Sequence, residues 1–473
     1  LKKILFFSRE KSFLGVKPFK FALGLCARYT RLFMNLSHLR IISVLSLPLL
    51  SFSCGVQSDG SDSKAAVLTV PPASGAVNYS VSGASGPDAL ARQAVAHHPS
   101  IAAARHKAER LEAKVPQELS LPDPMAEIAA GSLAETAAGR VQAMGGLKQK
   151  IPFPGKRSAA AAAAGSEAAA ARAEIRAMEL KLTEQVHAAW WDLYMAEQTI
   201  QITRESRSIL DSVRESIDTR VGAGQANQAD QLRIANEITM IDRDLADAAQ
   251  LQGTAKARLN SLLNRPAGAS LPSARRTAIP SNGSLESLLA RAQSRHPEVA
   301  AAEERANAFR HRLKRAELEK YPDFTAGVGG AAVSDSGLSK VSNGRDQVYA
   351  SIGINIPLWQ APRRAMITEA REGIAETEAM IASTRSDLRY RVEESWFRAK
   401  TARDIANLFE TRLIPDSRQA YEVTLTGYSV GTSDFTGLLE TWRLQLSYRL
   451  QLVRANAQLG KAAATLRAAA AIE

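Results

Sequence analysis

Cysteine is almost missing from this chain: of 473 residues only Cys26 and Cys54 are cysteines, both near the N-terminus, so a disulfide framework is excluded. Aromatic residues make up only 6%. No apolar run reaches the roughly 20 residues that a membrane-crossing helix needs. Disorder is excluded as the main state, because 45% of residues are apolar and aliphatic side chains run through most of the chain. The formal charge of +12 suggests nucleic acid as a partner, yet residues 1–53 hold nine basic residues and one acid, which leaves +4 for the remainder. A nucleic-acid partner therefore has little support. No Ser/His/Asp arrangement or nucleophilic cysteine is visible, and no histidine pair has the i, i+4 spacing of a helical metal site. No enzyme, cofactor or metal site is expected. Pro154-Gly155-Lys156-Arg157-Ser158 lacks the upstream glycine and the Ser or Thr after the lysine that a phosphate loop requires. It reads instead as a strand-to-helix corner, with Lys156 and Arg157 expected at lipid headgroups.

What is abundant is alanine, in long stretches poor in proline, as expected of closely packed helices. From Met34 a short basic start, an apolar run from Ile41 to Phe52 and small residues before Cys54 have the form of a secretory signal. Residues 1–33 then read as an over-extension of the gene and 34–53 as the signal peptide. Cys54 stands where a bacterial lipoprotein is acylated, although ordinary cleavage after Ser53 suits the same residues. Residues 54–84 are rich in Gly, Ser, Asp and Pro and read as a tether.

The rest repeats itself at a spacing near 200 residues. His98-Pro99 recurs as His296-Pro297, Pro122-Asp123 as Pro322-Asp323, Ile151-Pro152 as Ile356-Pro357, Trp190 as Trp396 and Gly224 as Gly431. This divides the chain into a first repeat at 85–270, a linker at 271–283 and a second repeat at 284–473. Each repeat reads as helix, strand, strand, long helix, helix: mainly α with a small β part. The first helices are expected at Pro87 to Ala113 and Leu285 to Lys320. Phe324, Ala326 and Val328 alternate with Thr325, Gly327 and Gly329, and Val348, Ala350, Ile352, Ile354 and Ile356 with Tyr349, Ser351, Gly353 and Asn355. This is the period of a strand with one apolar face. The alternation in the first repeat, Val141, Ala143, Leu147 and Ile151, is fainter. Arg157 to Val221 runs 65 residues without proline, or about 100 Å of helix. Its counterpart spans Ala365 to Val430, with a break or kink expected at Pro415. Glycine turns return the chain through Asp230 to Leu263 and Asp434 to Ala470. Trp190, Trp191 and Trp396 are expected to pack between helices.

Four strands with an apolar face, on an exported chain, point to a β-barrel. Four cannot close one alone, and open edges in lipid leave backbone groups unpaired at several kcal/mol each, so identical copies must complete it. At this point the sequence resembles the TolC-like outer-membrane efflux channels, and within them the cation-efflux branch of CusC-like and CzcC-like proteins. The resemblance rests on Leu121-Pro122-Asp123-Pro124-Met125, the run Lys148 to Arg157, Leu259-Asn260-Ser261-Leu262-Leu263-Asn264 and Gly427-Tyr428-Ser429-Val430-Gly431-Thr432. It implies a homotrimer with a twelve-stranded barrel in outer-membrane lipid, continued by a periplasmic α-helical barrel. It also implies a periplasmic adaptor protein and an inner-membrane pump of the RND type as partners. Gly222, Gly224, Asp230, Tyr428, Gly431 and Thr432 would lie at the periplasmic tip where the adaptor docks. In that family, aspartates six and nine residues after the second-tip glycine ring the closed entrance. This chain has Gly437 and Glu440 there, which leaves Glu440, with Asp434 in addition, as candidate gate carboxylates. A lipid-anchored structural or adhesive coiled coil without a pore is the other reading, and the alternating segment Val348 to Ile356 is what it fails to explain.

Overall fold

A residue before proline is pushed out of the helical region by the proline ring, and the two His-Pro pairs obey this. The computed structural model describes residues 86–136 (side chains of 132–135 excepted), 138–224, 226–279, 283–335, 340–341 and 343–472. The leader, Cys54 and the tether lie outside them. Where the sequence predicts one helix from Pro87 to Ala113 there are two, α1 (Pro87–His97) and α2 (Pro99–Glu112), followed by the short α3 (Lys114–Leu119). His98 is extended, and its Nδ1 accepts the Ser100 N–H at 3.2 Å as an N-cap. The second repeat does the same. The expected helix Leu285 to Lys320 is broken into α6 (Leu285–Arg295) and α7 (Pro297–Leu318), and His296 Nδ1 accepts the Glu298 N–H at 3.2 Å.

An imidazole can accept there only while that nitrogen is unprotonated, and burial lowers the pKa of both His98 and His296 from the ordinary value of 6.5. The unfolded chain therefore binds protons at these sites at a higher pH than the folded one. Stability falls as pH drops below about 6.5 and levels off beneath the folded-state pKa values. In urea titrations the midpoint is expected to fall between pH 7 and 5; the His98→Asn, His296→Asn double variant, which keeps an N-capping side chain, should lose part of that slope, and His187, whose pKa burial also lowers, should keep the rest.

The strands β1 (Met125–Thr136), β2 (Gly139–Ile151), β3 (Phe324–Ser334) and β4 (Gln347–Ile354) form one antiparallel sheet in chain order. Both repeats contribute a hairpin, and β2 pairs with β3 to join them. The faint alternation of the first repeat is thus two full strands, longer than the sequence suggested. Register shifts at Ala130/Ala134 and Val141/Ala143 blur its period.

The long helices fall where proline is absent. α4 (Lys156–Gly222) has 67 residues, and α5 (Gln228–Leu262) returns beside it. In the second repeat α8 (Gln360–Leu408) passes through a π-helical turn at Phe409–Leu413 into α9 (Ile414–Val430), and α10 (Phe435–Ala469) returns. The wide turn just before Pro415 takes up its missing N–H, so the helix continues where a break was one of the expectations. Trp190 and Trp191 are buried in one core cluster with Leu90, Leu193 and Leu259, as expected of interhelix packing. A Cβ on Gly460 of α10 would collide with the Trp191 ring, so a residue without a side chain is needed there. Trp396 packs against a second cluster around Leu288, Val392 and Leu466. Among the described residues no helix is long and apolar enough to cross a membrane.

Candidate functional site

The sheet has two unlike faces. Partners across the ladder point the same way, so the register places Ile128, Leu147, Ile151, Phe324, Val328, Val348, Ile352 and Ile354 on one face. All of these are exposed, Val348 at 89% and Ile352 at 85%. The other face carries Glu127, Lys148, Lys150, Thr325, Tyr349 and Ser351, interleaved with Gly146, Gly327, Gly329 and Gly353. A soluble protein buries its apolar sheet face; this one presents it, with Gln149 its polar exception, and sets its charged groups on the reverse beside Met125 and Met144. Both sheet edges are open, since β1 pairs only with β2 and β4 only with β3 among the described residues. An exposed apolar sheet with free edges invites association.

Sheet and helices meet at a charged junction. Lys156, the first residue of α4, is 5% exposed, and its Nζ donates to Asp323 Oδ1 at 2.8 Å and to the Tyr321 carbonyl at 3.1 Å, with Glu319 Oε2 also 3.1 Å away. The expectation that Lys156 reaches lipid headgroups is corrected: two carboxylates hold it inside. Arg157 donates to the Leu119 carbonyl at 2.8 Å. Asp323 also accepts the Phe153 N–H at 3.0 Å, Phe153 stacks on Tyr321 at 4.5 Å, and the Asp323 N–H donates to Asn355 Oδ1. One aspartate thus ties both strand-to-helix corners together. Its repeat counterpart Asp123 is exposed. Asp323→Ala leaves the buried Lys156 short of a partner and is expected to cost about 3 kcal/mol, against roughly 0.5 kcal/mol or less for Asp123→Ala. Urea unfolding of the two variants side by side measures the difference.

At the far end of the long helices the chain turns twice. α4 ends at Gly222, and Gly224 takes φ +72°, where a left-handed residue reverses the chain. A Cβ at Gly222 would meet nothing within 4 Å, so its being glycine is not demanded by packing. Asn227 caps α5, and Asp230 lies in its first turn, 3.3 Å from Arg233. In the second turn Gly431 takes φ +81°, and the Thr432 N–H seals the helix end on the Gly427 carbonyl at 2.8 Å. Asp434 is the N-cap of α10, its Oδ1 accepting the Gly437 N–H at 3.1 Å. Its carboxylate therefore already has a structural task. Glu440, six residues further on, is exposed.

The two turns are held together by residues that the sequence reading passed over. Arg220, in the last turn of α4, donates to the carbonyls of Tyr428 at 3.0 Å and Ser429 at 2.7 Å, and lies 4.8 Å over the Tyr428 ring. It caps the end of α9, where carbonyls lack helical partners and a cation is favoured. Arg233 reaches Thr436 Oγ1 at 3.1 Å, and Arg443 of α10 pairs with Glu237 of α5 at 3.0 Å. Tyr428 is buried, with Phe435, Leu438 and Ile234 in the same cluster, and burial pushes its phenol pKa up while the Arg220 charge opposes this. No local signal marks Arg220 beyond its place two residues before a helix-ending glycine, because its partners lie more than 200 residues away. Among the described residues no group of three or more His, Cys, Asp or Glu side chains could hold a metal ion.

Residues 288–471 match a family described as "Outer membrane efflux protein". The cobalt-zinc-cadmium resistance protein CzcC of Cupriavidus metallidurans is 20% identical over 317 residues, 67% of this chain and 74% of its own length. The outer membrane protein VceC of Vibrio cholerae superposes with a TM-score of 0.68 at 18% identity, covering 82% of this chain and 97% of its own. The MtrE outer membrane channel of Neisseria gonorrhoeae, in its open state, superposes with a TM-score of 0.67 at 18% identity, covering 81% and 88%.

Proposed function

We propose, from this family-level match to the TolC-like outer-membrane efflux proteins, that the chain is the outer-membrane channel of a tripartite efflux system. It is a passive duct and not an enzyme. The observation that carries the reading is the two-faced sheet: an exposed apolar face suits lipid, the polar reverse suits a water-filled lumen, and the open edges suit further strands. Three copies would make a twelve-stranded barrel, and α4 and α8–α9, far longer than a bilayer is thick, would carry the lumen into the periplasm. The helices leave Leu232, Met240, Leu251, Tyr390, Phe397 and Val423 exposed in a single chain. Contacts between neighbouring copies would cover such a surface.

The turns at Gly224 and Gly431 are the end at which a periplasmic adaptor would dock, with an inner-membrane pump beyond it. There Arg220, Arg233 and Arg443 fasten the first hairpin to the second. An adaptor that binds the separated hairpins better than the fastened ones would open the duct like an iris. Glu440 is exposed and free of a capping task, so it is the better gate candidate; Asp434 serves its helix first. The resemblance to CzcC favours metal cations as cargo, which this chain would conduct without a binding site of its own. Cys54 is the acylation site proposed, behind a signal peptide at 34–53, and 85–270 and 284–473 are the two repeats.

Reconstitution of the purified oligomer in planar bilayers tests the channel. Discrete conductance steps are expected. A tight, adhesive oligomer that never conducts would favour the pore-free coiled coil instead.

A further inference from the structure

Glycine weakens a strand, yet on the polar face of this sheet Gly146 and Gly329 stand side by side, in a row that runs Glu127, Gly146, Gly329, Tyr349 across the four strands. A Cβ on Gly329 would lie 2.7 Å from the Tyr349 ring, and one on Gly327 would lie 2.7 Å from Ser351 Oγ and 3.2 Å from the Lys148 side chain. The missing side chains make a floor on which the Tyr349 ring lies. Glu127 from β1 reaches over the same floor to Lys148 of β2, and the two form an ion pair. Glu127, Lys148, Tyr349 and Ser351 line one small cavity of about 130 Å³ together with Gly145, Gly146 and others. The row stands five residues above Phe324, roughly 17 Å up the barrel wall, well away from both helical tips.

We infer that Glu127, Lys148 and Tyr349 form a selectivity belt inside the barrel, at which permeating ions meet a fixed carboxylate, an ammonium and a phenol. The inference rests on the lumenal assignment of the polar face made above. Three copies at one height would ring the lumen with three matched pairs of opposite charge. Charged rings set ion preference in pores, and a matched ring holds that preference near neutral. Removing one member unmasks the other three times over. Glu127→Gln leaves three ammonium groups and turns this level of the pore toward anions; Lys148→Gln leaves three carboxylates and turns it toward cations.

Bulk conductance would also sense the distant tip, so a local probe is needed. Ser351→Cys places a thiol beside the pair, and its reaction with anionic and cationic methanethiosulfonate reagents reads the potential there, with the parent chain as background. A unit charge removed about 6 Å away in water changes each rate roughly threefold, and hence the ratio of the two rates about tenfold. The anionic-to-cationic rate ratio is expected to rise by that factor with Glu127→Gln and to fall by it with Lys148→Gln. Ratios unchanged in both variants would overturn the belt, and so would a thiol unreactive in oligomers that conduct. Oligomers that fold but never conduct would overturn the channel reading itself, a separate result.

Discussion

Arg220→Ala is expected to leave the channel open. The guanidinium holds two carbonyls at the end of α9 and covers the Tyr428 ring. Its loss removes roughly 2 kcal/mol of contact that exists only while the two turns are fastened. Three copies moving together would add this to about 6 kcal/mol, enough to shift a closed-to-open ratio by roughly ten thousandfold. In planar bilayers the variant should spend most of its time conducting where the parent is mostly shut, and Arg220→Lys, which keeps a charge but loses the paired donors, should fall between. These contacts lie within one folded chain and are lost on unfolding, so urea unfolding should move by no more than the same amount, about 2 kcal/mol per chain. Equal open times in parent and variant would mean that the tip is not the gate.

The second large effect lies in the sheet. Ile352 sits on the apolar face of β4 at 85% exposure, and Ser351 next to it points the other way. If the apolar face meets hydrocarbon, Ile352→Arg costs about 2–4 kcal/mol per copy near the middle of the bilayer, and assembled protein in the membrane fraction should fall steeply. Ser351→Glu puts a charge one residue away on the lumenal face, beside Lys148, and should assemble normally. A membrane yield equal for both variants would remove the distinction between the faces.

Much of this was legible in the sequence because it is periodic or punctuated. The period-two alternation of Phe324 to Val328 and of Val348 to Ile354 assigned each side chain to the face on which the ladder places it. The proline-free run from Arg157 to Val221 ends within one residue of α4 at either side. The repeat itself emerged from Pro, Gly and Trp landmarks. What escaped is what depends on pairing over long distance. Lys156 looked like a surface cation because nothing near it in the chain is acidic; its carboxylates, Glu319 and Asp323, come from the other repeat. Arg220 escaped for the same reason. The His-Pro pairs were seen as landmarks, while the helix breaks they impose follow from a steric rule about the residue before proline that hydrophobic spacing does not register.

Identical copies must close the sheet that one chain leaves open. Native mass spectrometry of the detergent-extracted protein weighs that assembly directly. Three chains per particle is the expected mass. A single chain, stable in detergent with its β1 and β4 edges unpaired, would contradict it.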